Sequence, residues 1–542
     1  MEEPECLLSS RFFLKSTIFE VNLSRIRLTW RNLQTKAASG SHNTSNKFKV
    51  VSGSVPVCEI IAVYEAQGIS PIKNGQRWTQ EQEKACQGAF TVSYVEREGQ
   101  HHWRPRDVTF HWPDTPTCRH WVSTIREQIS LLNHRPKRLL VYINPNSGKR
   151  QAKQIYEQRV APLFSRASVS THVIVTRDRD HAKDHLASDA DLTKYDGVVC
   201  VGGDGMFSEV LHGLLTRTQR DAGVDQNSAE QNPAPCGIRV GIIPAGSTDC
   251  ICYASVGTND PVTSALHIIV GDSHALDVCS VHHRNKFLRY SVSMLGYGFY
   301  GDVLMDSEKK RWMGPVRYSV SGFTTFLAHH SYEGTVYFLP ATDVSGSPRD
   351  KTKCRAGCLP CQRDGRPLSD DSGKDKETPN KDHHHGWQMI QGKFLAINAA
   401  SMSCACPRSP EGLSPAAHLS DGTTDLILVR DCSHFNFLRH LYRHTNTDDQ
   451  FDLGFVEVHR IRRFRFVPGN DLEPEWKGDR PIQFSPSYGC QPTWGRWSCD
   501  GEVLHQATIE VGVHCGLIQL FARGIEAQEG FQEQSTPSTQ TV

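Results

Sequence analysis

The chain has 542 residues, a hydrophobic fraction of 38% and a formal charge of +1, from 60 Lys and Arg against 59 Asp and Glu. This length predicts two or three folded domains. The charge balance excludes a dedicated nucleic-acid binder, and the apolar content excludes a wholly disordered chain. No apolar run approaches the roughly 18–20 residues of a membrane-spanning helix, and the acidic N-terminus carries neither a secretory signal nor a myristoylation sequence. With 18 cysteines and no signal, we expect reduced thiols in a cytoplasmic protein.

Residues 1–127 alternate short apolar runs with polar turns and end in a helical pattern. The runs predict strands at 17–23, 26–30, 55–63, 89–95 and 108–112. Helical spacing follows over residues 117–132, with Trp121 and Ile125 on one face. Strands closed by one C-terminal helix with an inward Trp resemble a pleckstrin-homology domain; another small β-barrel is the alternative. The resemblance implies a membrane-docking domain, and therefore a protein that associates peripherally with membranes such as those of the Golgi and the cell surface.

The loop over residues 97–106 is the predicted docking site of this domain. It carries three arginines, two histidines and Trp103 between two predicted strands. Arginines bind anionic phospholipid headgroups, and a Trp ring seats at the interface. The alternative is a solvated hairpin loop.

Residues 136–283 alternate strands with helices, which predicts an α/β nucleotide-binding domain on a parallel sheet. Strands are predicted at 138–143, 170–175, 197–201 and 240–243, and helices at 152–164, 182–187 and 206–215. Residues 284–526 are β-rich and predict an antiparallel, sandwich-like second domain. The β pattern begins at 275–281, before this boundary, and continues with predicted strands at 287–295, 334–339, 392–399, 425–429, 455–467, 503–511 and 514–521. A polar, Pro-containing stretch over 341–386 predicts a flexible insertion, and 527–542 a disordered tail.

The turn Gly202-Gly203-Asp204-Gly205 links a buried strand to a helix. Its glycines leave backbone amides open beside a helix N-terminus, which suits a phosphate group. Asp204 could accept a hydroxyl proton there. The alternative is a Gly-rich turn with a capping Asp.

Three further strands of the predicted sheet end in polar or Gly-rich turns. The turns are Asn144-Pro145-Asn146-Ser147-Gly148-Lys149, Thr176-Arg177-Asp178-Arg179-Asp180 and Ile243-Pro244-Ala245-Gly246-Ser247-Thr248-Asp249. Open α/β sheets bind ligands at this edge, so the repetition indicates a nucleotide site.

These motifs, with a late Asp500-Gly501-Glu502, resemble the diacylglycerol-kinase-type catalytic domain that diacylglycerol, sphingosine and ceramide kinases share. The resemblance spans about residues 136–526. It implies that Asp204 is the general base, that ATP and Mg²⁺ are used, and that the lipid hydroxyl meets Gly202, Gly203, Asp204 and Gly205. It also implies a set of ATP-binding residues. These are Asn144, Pro145, Asn146, Thr176, Arg177, Asp178, Arg179, Asp180, Glu209, Gly246, Ser247, Thr248, Arg311, Arg317, Asp500, Gly501 and Glu502.

Lipid choice within this family depends on charge near the acceptor. Sphingosine kinases carry an acidic residue three positions before the Ser of a Ser-Glu-Lys run, where this chain has Leu304. An apolar side chain suits the neutral amide of an N-acylated sphingoid base, and the resemblance therefore favours ceramide in membranes as the acceptor. A diacylglycerol or sphingoid-base kinase, or a catalytically dead membrane-binding module, are the alternatives.

Other motifs carry weaker indications. Gly296–Gly301 fits G-x-G-x-x-G but opens no βαβ unit, and no P-loop string exists. Cys354, Cys358 and Cys361 have thiolate-ligand spacing, with Cys404 or Cys406 as a fourth metal ligand; a free thiol cluster is the alternative. The basic amphipathic segment 435–444 suits calmodulin or a membrane surface, and an ordinary packed helix is the alternative.

Overall fold

The chain divides into two units. The first comprises Met1–Leu139, Ile155–His172 and Asp260–Asp272, and the second Leu140–Gln154, Val173–Asn259 and Ser273–Val542. The computed structural model describes residues 5–14, 17–33, 52–66, 88–314, 316–341, 346–362, 386–446, 448–469, 476–477, 480–481 and 494–527.

The strands are, in chain order, β1 Cys6–Leu14, β2 Thr17–Ser24, β3 Arg27–Asn32, β4 Gly53–Pro56, β5 Ile60–Glu65, β6 Gly88–Arg97, β7 Trp103–Trp112, β8 Arg138–Ile143, β9 Ser170–Val175, β10 Gly197–Gly202, β11 Arg239–Pro244, β12 His274–His283, β13 Lys286–Ser291, β14 Met294–Gly298, β15 Tyr332–Pro340, β16 Gln388–Ala400, β17 Thr424–Arg430, β18 Val456–Pro468, β19 Trp476–Lys477, β20 Arg480–Pro481, β21 Trp497–Cys499, β22 Glu502–Leu504 and β23 Ile509–Leu520. The α-helices are α1 Thr115–Ser130, α2 Ala152–Ile155, α3 Ala161–Arg166, α4 His181–Asp184, α5 Asp204–Asp221, α6 Cys250–Val256, α7 Pro261–Val270, α8 Phe299–Lys309, α9 Val316–Ala328, α10 Leu359–Gln362 and α11 His434–Arg443. Among the described residues, no helix is long and apolar enough to cross a membrane.

The first unit contains a seven-stranded antiparallel sheet in the order β4-β3-β2-β1-β7-β6-β5. Helix α1 begins where Asp114 accepts the Thr117 N–H at 3.0 Å. Its inner face buries Trp121 and Ile125, and the Trp121 ring meets Phe12 edge-on at 5.2 Å between centroids. The predicted pattern of strands followed by one C-terminal helix with an inward Trp is confirmed.

Two strands of this unit differ from the predictions. Strand β1 was not predicted, because Ser9, Ser10 and Arg11 interrupt its apolar pattern. The predicted strand over 55–63 is broken into β4, a 3₁₀ turn at Val57–Glu59 and β5. The break follows Pro56, which has no N–H to donate to a ladder.

The second unit contains a 14-stranded sheet in the order β22-β21-β14-β16-β15-β18-β23-β11-β10-β8-β9, with β12, β13 and β17 paired off this path. Strands β10 and β11 pair in parallel, and β11 pairs in parallel with the end of β23. Strand β23 pairs antiparallel with β18, so one strand joins the parallel and antiparallel parts. The boundary predicted at 283/284 lies in the hairpin between β12 and β13.

Helix α5 positions the site because its apolar face packs on the parallel strands. Met206, Val210 and Leu214 lie in one buried cluster with Val198 and Val240. Their i, i+4, i+8 spacing places one stripe of the helix on the sheet. The N-terminus of α5 is thereby held at the end of β10.

The predicted insertion and tail fall mostly outside the described residues. Residues 342–345, 363–385, with the His383–His385 run, and 528–542 are not described, whereas 346–362 contain turns and helix α10. The predicted strand over 287–295 is two strands, β13 and β14. It breaks at Val292 and Ser293 because their N–H groups donate to the Asp500 carboxylate instead of to a ladder.

Candidate active site

The four predicted strand-end turns meet at one edge of the sheet. Hydrogen bonds just beyond the strands join them: Asn144 N–H donates to Val201 O (3.1 Å), Thr176 N–H to Ile143 O (2.9 Å) and Ala245 N–H to Gly202 O (3.0 Å). This convergence agrees with the site location that parallel-sheet topology predicts.

The glycine turns touch each other without intervening side chains. A Cβ on Gly203 would lie 2.9 Å from Gly246 Cα, and a Cβ on Gly148 would lie 2.5 Å from Ala245 O. A Cβ on Gly205, by contrast, would meet nothing within 4 Å. The turns therefore form a backbone-lined surface that is open at Gly205, and backbone-lined concavities of this kind bind phosphate.

Asp204 begins α5 and also holds the start of α6. Its Oδ2 accepts the Cys250 N–H at 3.1 Å, and its Oδ1 accepts the Ile251 N–H at 3.2 Å. Burial raises the pKa of Asp204 above its usual range, although both hydrogen bonds oppose that shift. A carboxylate held this way is positioned and basic, as a general base requires.

Asp249, at the end of the fourth turn, is a site residue that the sequence analysis did not select. Its Oδ1 accepts the Gly246 N–H at 2.9 Å, and its side chain is buried. Burial and then the charge of Asp204 raise the pKa of Asp249 to about 6. Its φ of 53° is unusual for a non-glycine residue and marks Asp249 as a constrained position. This property is visible in the structure and not in the sequence.

Glu502 lies between two arginines. Arg179 Nη2 donates to Glu502 Oε2 at 2.8 Å, and Arg289 Nη1 donates to the same oxygen at 2.6 Å. Burial opposes the charged form, but the two cations outweigh it and hold the pKa of Glu502 below its usual range. The structure thus brings together two predicted ATP-binding residues that are 323 positions apart.

Arg289 was missed because nothing in the sequence of β13 marks it as functional. Its Nη2 donates to Ser208 Oγ at 3.1 Å, which links α5 to Glu502. Next to it, His212 Nε2 accepts the Tyr290 N–H at 3.0 Å while Nδ1 donates to Ser208 O at 2.7 Å. Burial lowers the pKa of His212 to about 4, so this histidine is neutral and structural.

Glu209 lies on α5 in the same neighbourhood. Its Oε2 is buried without a hydrogen-bond partner among the described residues. Burial and then the charge of Asp180 raise the pKa of Glu209 to about 7. This carboxyl group therefore changes charge near neutral pH.

Asp500 organises the turn at β13–β14. Its carboxylate accepts the Ser291 and Ser293 hydroxyls (3.0 and 2.6 Å) and the N–H groups of Val292, Ser293 and Met294 (2.8–3.0 Å). Four of these five hydrogen bonds go to Oδ1 and one to Oδ2, and together they fix the turn that carries Gly501 and Glu502.

The remaining predicted nucleotide residues lie on the turns themselves. Asn144 Oδ1 accepts the Asn146 N–H at 3.0 Å, closing the turn around Pro145. Thr176 is buried, and its hydroxyl donates to Ile143 O at 3.3 Å. The other side chains are exposed or half-buried: Arg177, Asp178, Arg179, Asp180, Ser247 and Thr248.

The predicted phosphate-contacting arginines gather at Glu308, at the end of α8. Arg311 pairs with Glu308, and Arg317 lies 3.4 Å from its other oxygen. Within the described ranges, their ion pairs go to Glu308 and not to the strand-end turns. Leu304, on the same helix, is buried.

The prediction that loop 97–106 docks on membranes is wrong for Trp103, which is 1% exposed. Its ring stacks on His267 at 3.7 Å, and Arg97 covers it at 4.7 Å. Arg104 Nη1 donates to Asp260 Oδ2 at 2.6 Å. Burial of the indole and the ion pair of Arg104 remove these two side chains from the predicted docking surface, whereas Arg106 of the same loop is exposed.

Helices α9 and α11 of the second unit carry exposed apolar side chains. The stacked rings of His329 and His434, 3.9 Å apart, hold the two helix ends together. Phe437 and His440 of α11 are buried, so the alternative of a packed helix is correct for one face. The exposed set comprises Trp312, Val316, Tyr318, Phe323, Leu327, Phe435, Leu438 and Tyr442.

Comparison with known proteins identifies the segments. The family model described as Ceramide kinase PH domain matches residues 8–125, Diacylglycerol kinase catalytic domain matches 138–281, and Ceramide kinase C-terminal domain matches 292–536. Ceramide kinase of Homo sapiens is 55% identical over 482 residues, which cover 87% of this chain and 89% of that protein. Ceramide kinase of Mus musculus is 53% identical over 484 residues, with 88% and 90% covered. Ceramide kinase of Oryza sativa is 34% identical over 534 residues, with 78% and 83% covered.

Proposed function

The chain belongs to the ceramide kinase family, and on that premise we propose that it transfers the γ-phosphate of ATP to the primary hydroxyl of ceramide, forming ceramide 1-phosphate. The observation that carries the proposal is the meeting of the Gly203 and Gly246 turns beside Asp204. It combines a phosphate-binding backbone with a positioned base.

The nucleotide phosphates lie along the open backbone of the glycine turns. Backbone N–H groups and the N-terminus of α5 favour negative charge at that place. Asn144, Pro145, Asn146, Gly246, Ser247 and Thr248 contact the nucleotide from two turns, and Thr176–Asp180 and Glu209 border it.

Asp204 removes the proton from the lipid hydroxyl as the oxygen attacks the γ-phosphorus in line. Burial raises its pKa, which makes this carboxylate a stronger base than an exposed aspartate. Gly205 leaves room for the acceptor, and Gly202 and Gly203 let the neighbouring chain segments pack closely beside it. Because phosphoryl transfer depends mostly on positioning and charge, the fixed orientation of Asp204 by the α6 backbone is central.

The carboxylates present fit a magnesium ion. Hard cations take carboxylate oxygens together with substrate phosphates and waters. The negative charge of Asp204 contributes to the raised pKa of Asp249, so the two carboxylates lie close enough to repel each other. Because Asp204 is the base, Asp249 would hold Mg²⁺ together with the substrate phosphates and waters, and the bound ion would neutralise phosphate charge.

The Asp500-Gly501-Glu502 turn covers the nucleotide from the antiparallel part of the sheet. Asp500 orients the turn, and Glu502 ties it to Arg179 and Arg289. Arg311 and Arg317 contact phosphate oxygens once they are released from Glu308.

Ceramide resides in a bilayer, so the enzyme works at a membrane surface. The family match over residues 8–125 supports lipid binding by the N-terminal domain, with anionic phospholipids as the partners. The exposed apolar side chains of α9 and α11 support a second contact, with the acyl region. Calmodulin at α11 would compete with that contact.

The substrate assignment is tested by transfer from γ-labelled ATP to ceramide, diacylglycerol or sphingosine in mixed detergent micelles. We expect labelled ceramide 1-phosphate as the main product. Labelling of another lipid at a higher rate than ceramide would refute the assignment, and no labelling of any lipid would refute the activity.

Leu304 allows a matched test of lipid choice. Leu304→Asp places a carboxylate near the acceptor and should raise the sphingosine-to-ceramide rate ratio, whereas Leu304→Asn, of equal size and neutral, should not. Because Leu304 is buried, both variants lose stability, and the ratio of rates, not the absolute rate, is the measurement. Equal ratios for the two variants would show that discrimination lies elsewhere.

A further inference from the structure

Three cysteine thiols and one imidazole converge in the second unit, outside the candidate active site. The four ligand atoms all lie within 4.8 Å of one another. They come from two segments: α10 with the turn that leads into it, and the loop between β16 and β17. The group comprises Cys354, Cys358, Cys361 and His418.

Three of the six distances between these atoms match the edges of a tetrahedral zinc site, and the other three are no longer than 4.8 Å. With Zn–S bonds of about 2.3 Å and a Zn–N bond of about 2.0–2.1 Å, a tetrahedron has S–S edges of about 3.8 Å and S–N edges of about 3.5 Å. The observed Sγ–Sγ distances are 3.9 Å for Cys354–Cys358 and 3.6 Å for Cys354–Cys361. The Cys358 Sγ–His418 Nδ1 distance is 3.5 Å.

The sulfur distances exclude disulfide bonding, which requires about 2.05 Å, and these cysteines are free. Neutral thiols are weak hydrogen-bond partners. His418 is only 3% exposed, and its Nδ1 faces a thiol sulfur. A buried imidazole is better satisfied in this position by a metal ion than by a weak acceptor.

Local backbone conformation and backbone hydrogen bonds position both segments that carry the ligands. Gly357 has a φ of 70°, which lets the chain turn between the first two cysteines, and the Cys358 N–H donates to Arg355 O at 3.1 Å. On the other side, Ala417 N–H donates to Ser414 O (3.1 Å), and Leu419 O accepts the Asp277 N–H (2.7 Å). These bonds fix the residues on either side of His418.

We propose that the second unit binds one Zn²⁺ ion through four side chains: Cys354, Cys358, Cys361 and His418. The ligand set is closed, with no open position, so the ion is structural and not catalytic. It cross-links residues 346–362 to the loop between β16 and β17, which the Lys353–Glu411 ion pair also joins. The fourth ligand is His418 and not Cys404 or Cys406, which lie outside the group; the Cys404 thiol donates to Ser293 O at 3.5 Å.

Metal analysis of the purified full-length protein tests the proposal. After passage over a chelating resin, we expect about one Zn²⁺ per chain by plasma mass spectrometry. Replacement by Co²⁺ should give the visible ligand-field bands of a tetrahedral thiolate site. Protein without bound zinc that also fails to develop these bands would overturn the proposal, whatever its kinase activity.

Variants separate the ligands from neighbouring cysteines. His418→Ala and Cys361→Ala should lose the bound zinc, whereas His418→Cys should retain it, since a fourth thiolate completes a Cys₄ site. Cys406→Ser and Cys432→Ser are matched controls that should keep a full complement of zinc. If Cys406→Ser lost its zinc while His418→Ala kept it, the fourth ligand would be Cys406, and the assignment of His418 would be overturned. If the alanine variants fail to fold, the parent zinc content, the cobalt spectrum and His418→Cys still decide the outcome.

Discussion

Replacing Asp204 by Asn removes a base while changing the size of the side chain little. The catalytic cost is that of losing general-base assistance, about 10²–10⁴ in kcat, or about 2.7–5.4 kcal/mol of transition-state stabilisation. There is a separate structural cost. Each Asp204 oxygen accepts one backbone N–H at the start of α6, and the Asn amide can accept only one of them. Loss of one hydrogen bond to a charged group costs about 1.5–3 kcal/mol of folding stability.

The assay must therefore separate catalysis from folding. We expect Asp204→Asn to retain ATP binding, measured by direct titration with the nucleotide. The kcat with micellar ceramide should fall by at least about 10². Chemical denaturation should show a loss of about 1.5–3 kcal/mol in the free energy of unfolding, from the missing hydrogen bond. Asp114→Ala removes a helix-capping carboxylate in the first unit, so it is a control for a cap loss without a catalytic loss.

The pH dependence supplies a second readout. Because burial raises the pKa of Asp204, the ionised base is lost as the pH falls through that raised value, and kcat/KM of the parent should fall with it. Asp204→Asn should lack this acidic limb. A folded Asp204→Asn protein with kcat within tenfold of the parent, or with an unchanged acidic limb, would refute the role of Asp204 as the base.

Three further predictions concern the nucleotide and the membrane. Arg289→Met should raise the KM for ATP about tenfold, equivalent to one charge-assisted hydrogen bond of about 1.5 kcal/mol, because Glu502 loses its 2.6 Å partner. The parent KM for ATP should rise as the pH rises through about 7, because Glu209 gains a negative charge there; Glu209→Gln should remove this dependence. The double variant Phe435→Ser, Leu438→Ser should bind vesicles less tightly in a sedimentation assay and keep its activity on detergent-solubilised ceramide, because both side chains are exposed.

Each of these predictions has a matched comparison. Arg289→Lys keeps the charge and should show a smaller rise in the KM for ATP than Arg289→Met. Equal rises for the two variants would mean that the charge of residue 289 does not contribute to the KM for ATP. A pH-independent KM in the parent would contradict the role of Glu209. For the membrane contact, Arg104→Ala should leave vesicle binding unchanged because Arg104 is paired with Asp260. Full vesicle binding by the Phe435, Leu438 double variant would exclude α11 as a contact.

The strands and glycine turns of the catalytic region could be predicted from the sequence. The predicted strands over 138–143 and 170–175 match β8 and β9, because a run of apolar residues between polar turns is a local property of the chain. The Gly-Gly-Asp-Gly turn and the first turn of α5 were identifiable for the same reason. The order of these motifs was enough to indicate the family.

Partners that are distant in the chain could not be predicted. Nothing near Trp103 in the sequence reveals that His267 covers its ring, and nothing near Asp500 reveals that five donors from residues 291–294 surround its carboxylate. The same holds for Arg289 beside Glu502 and for His418 beside the three cysteines. Local sequence determined which turns end the strands, because backbone conformation depends on neighbouring residues. Only the tertiary structure decided which side chains are buried, paired or open to a ligand, because each of those properties depends on a residue that packing brings from another part of the chain.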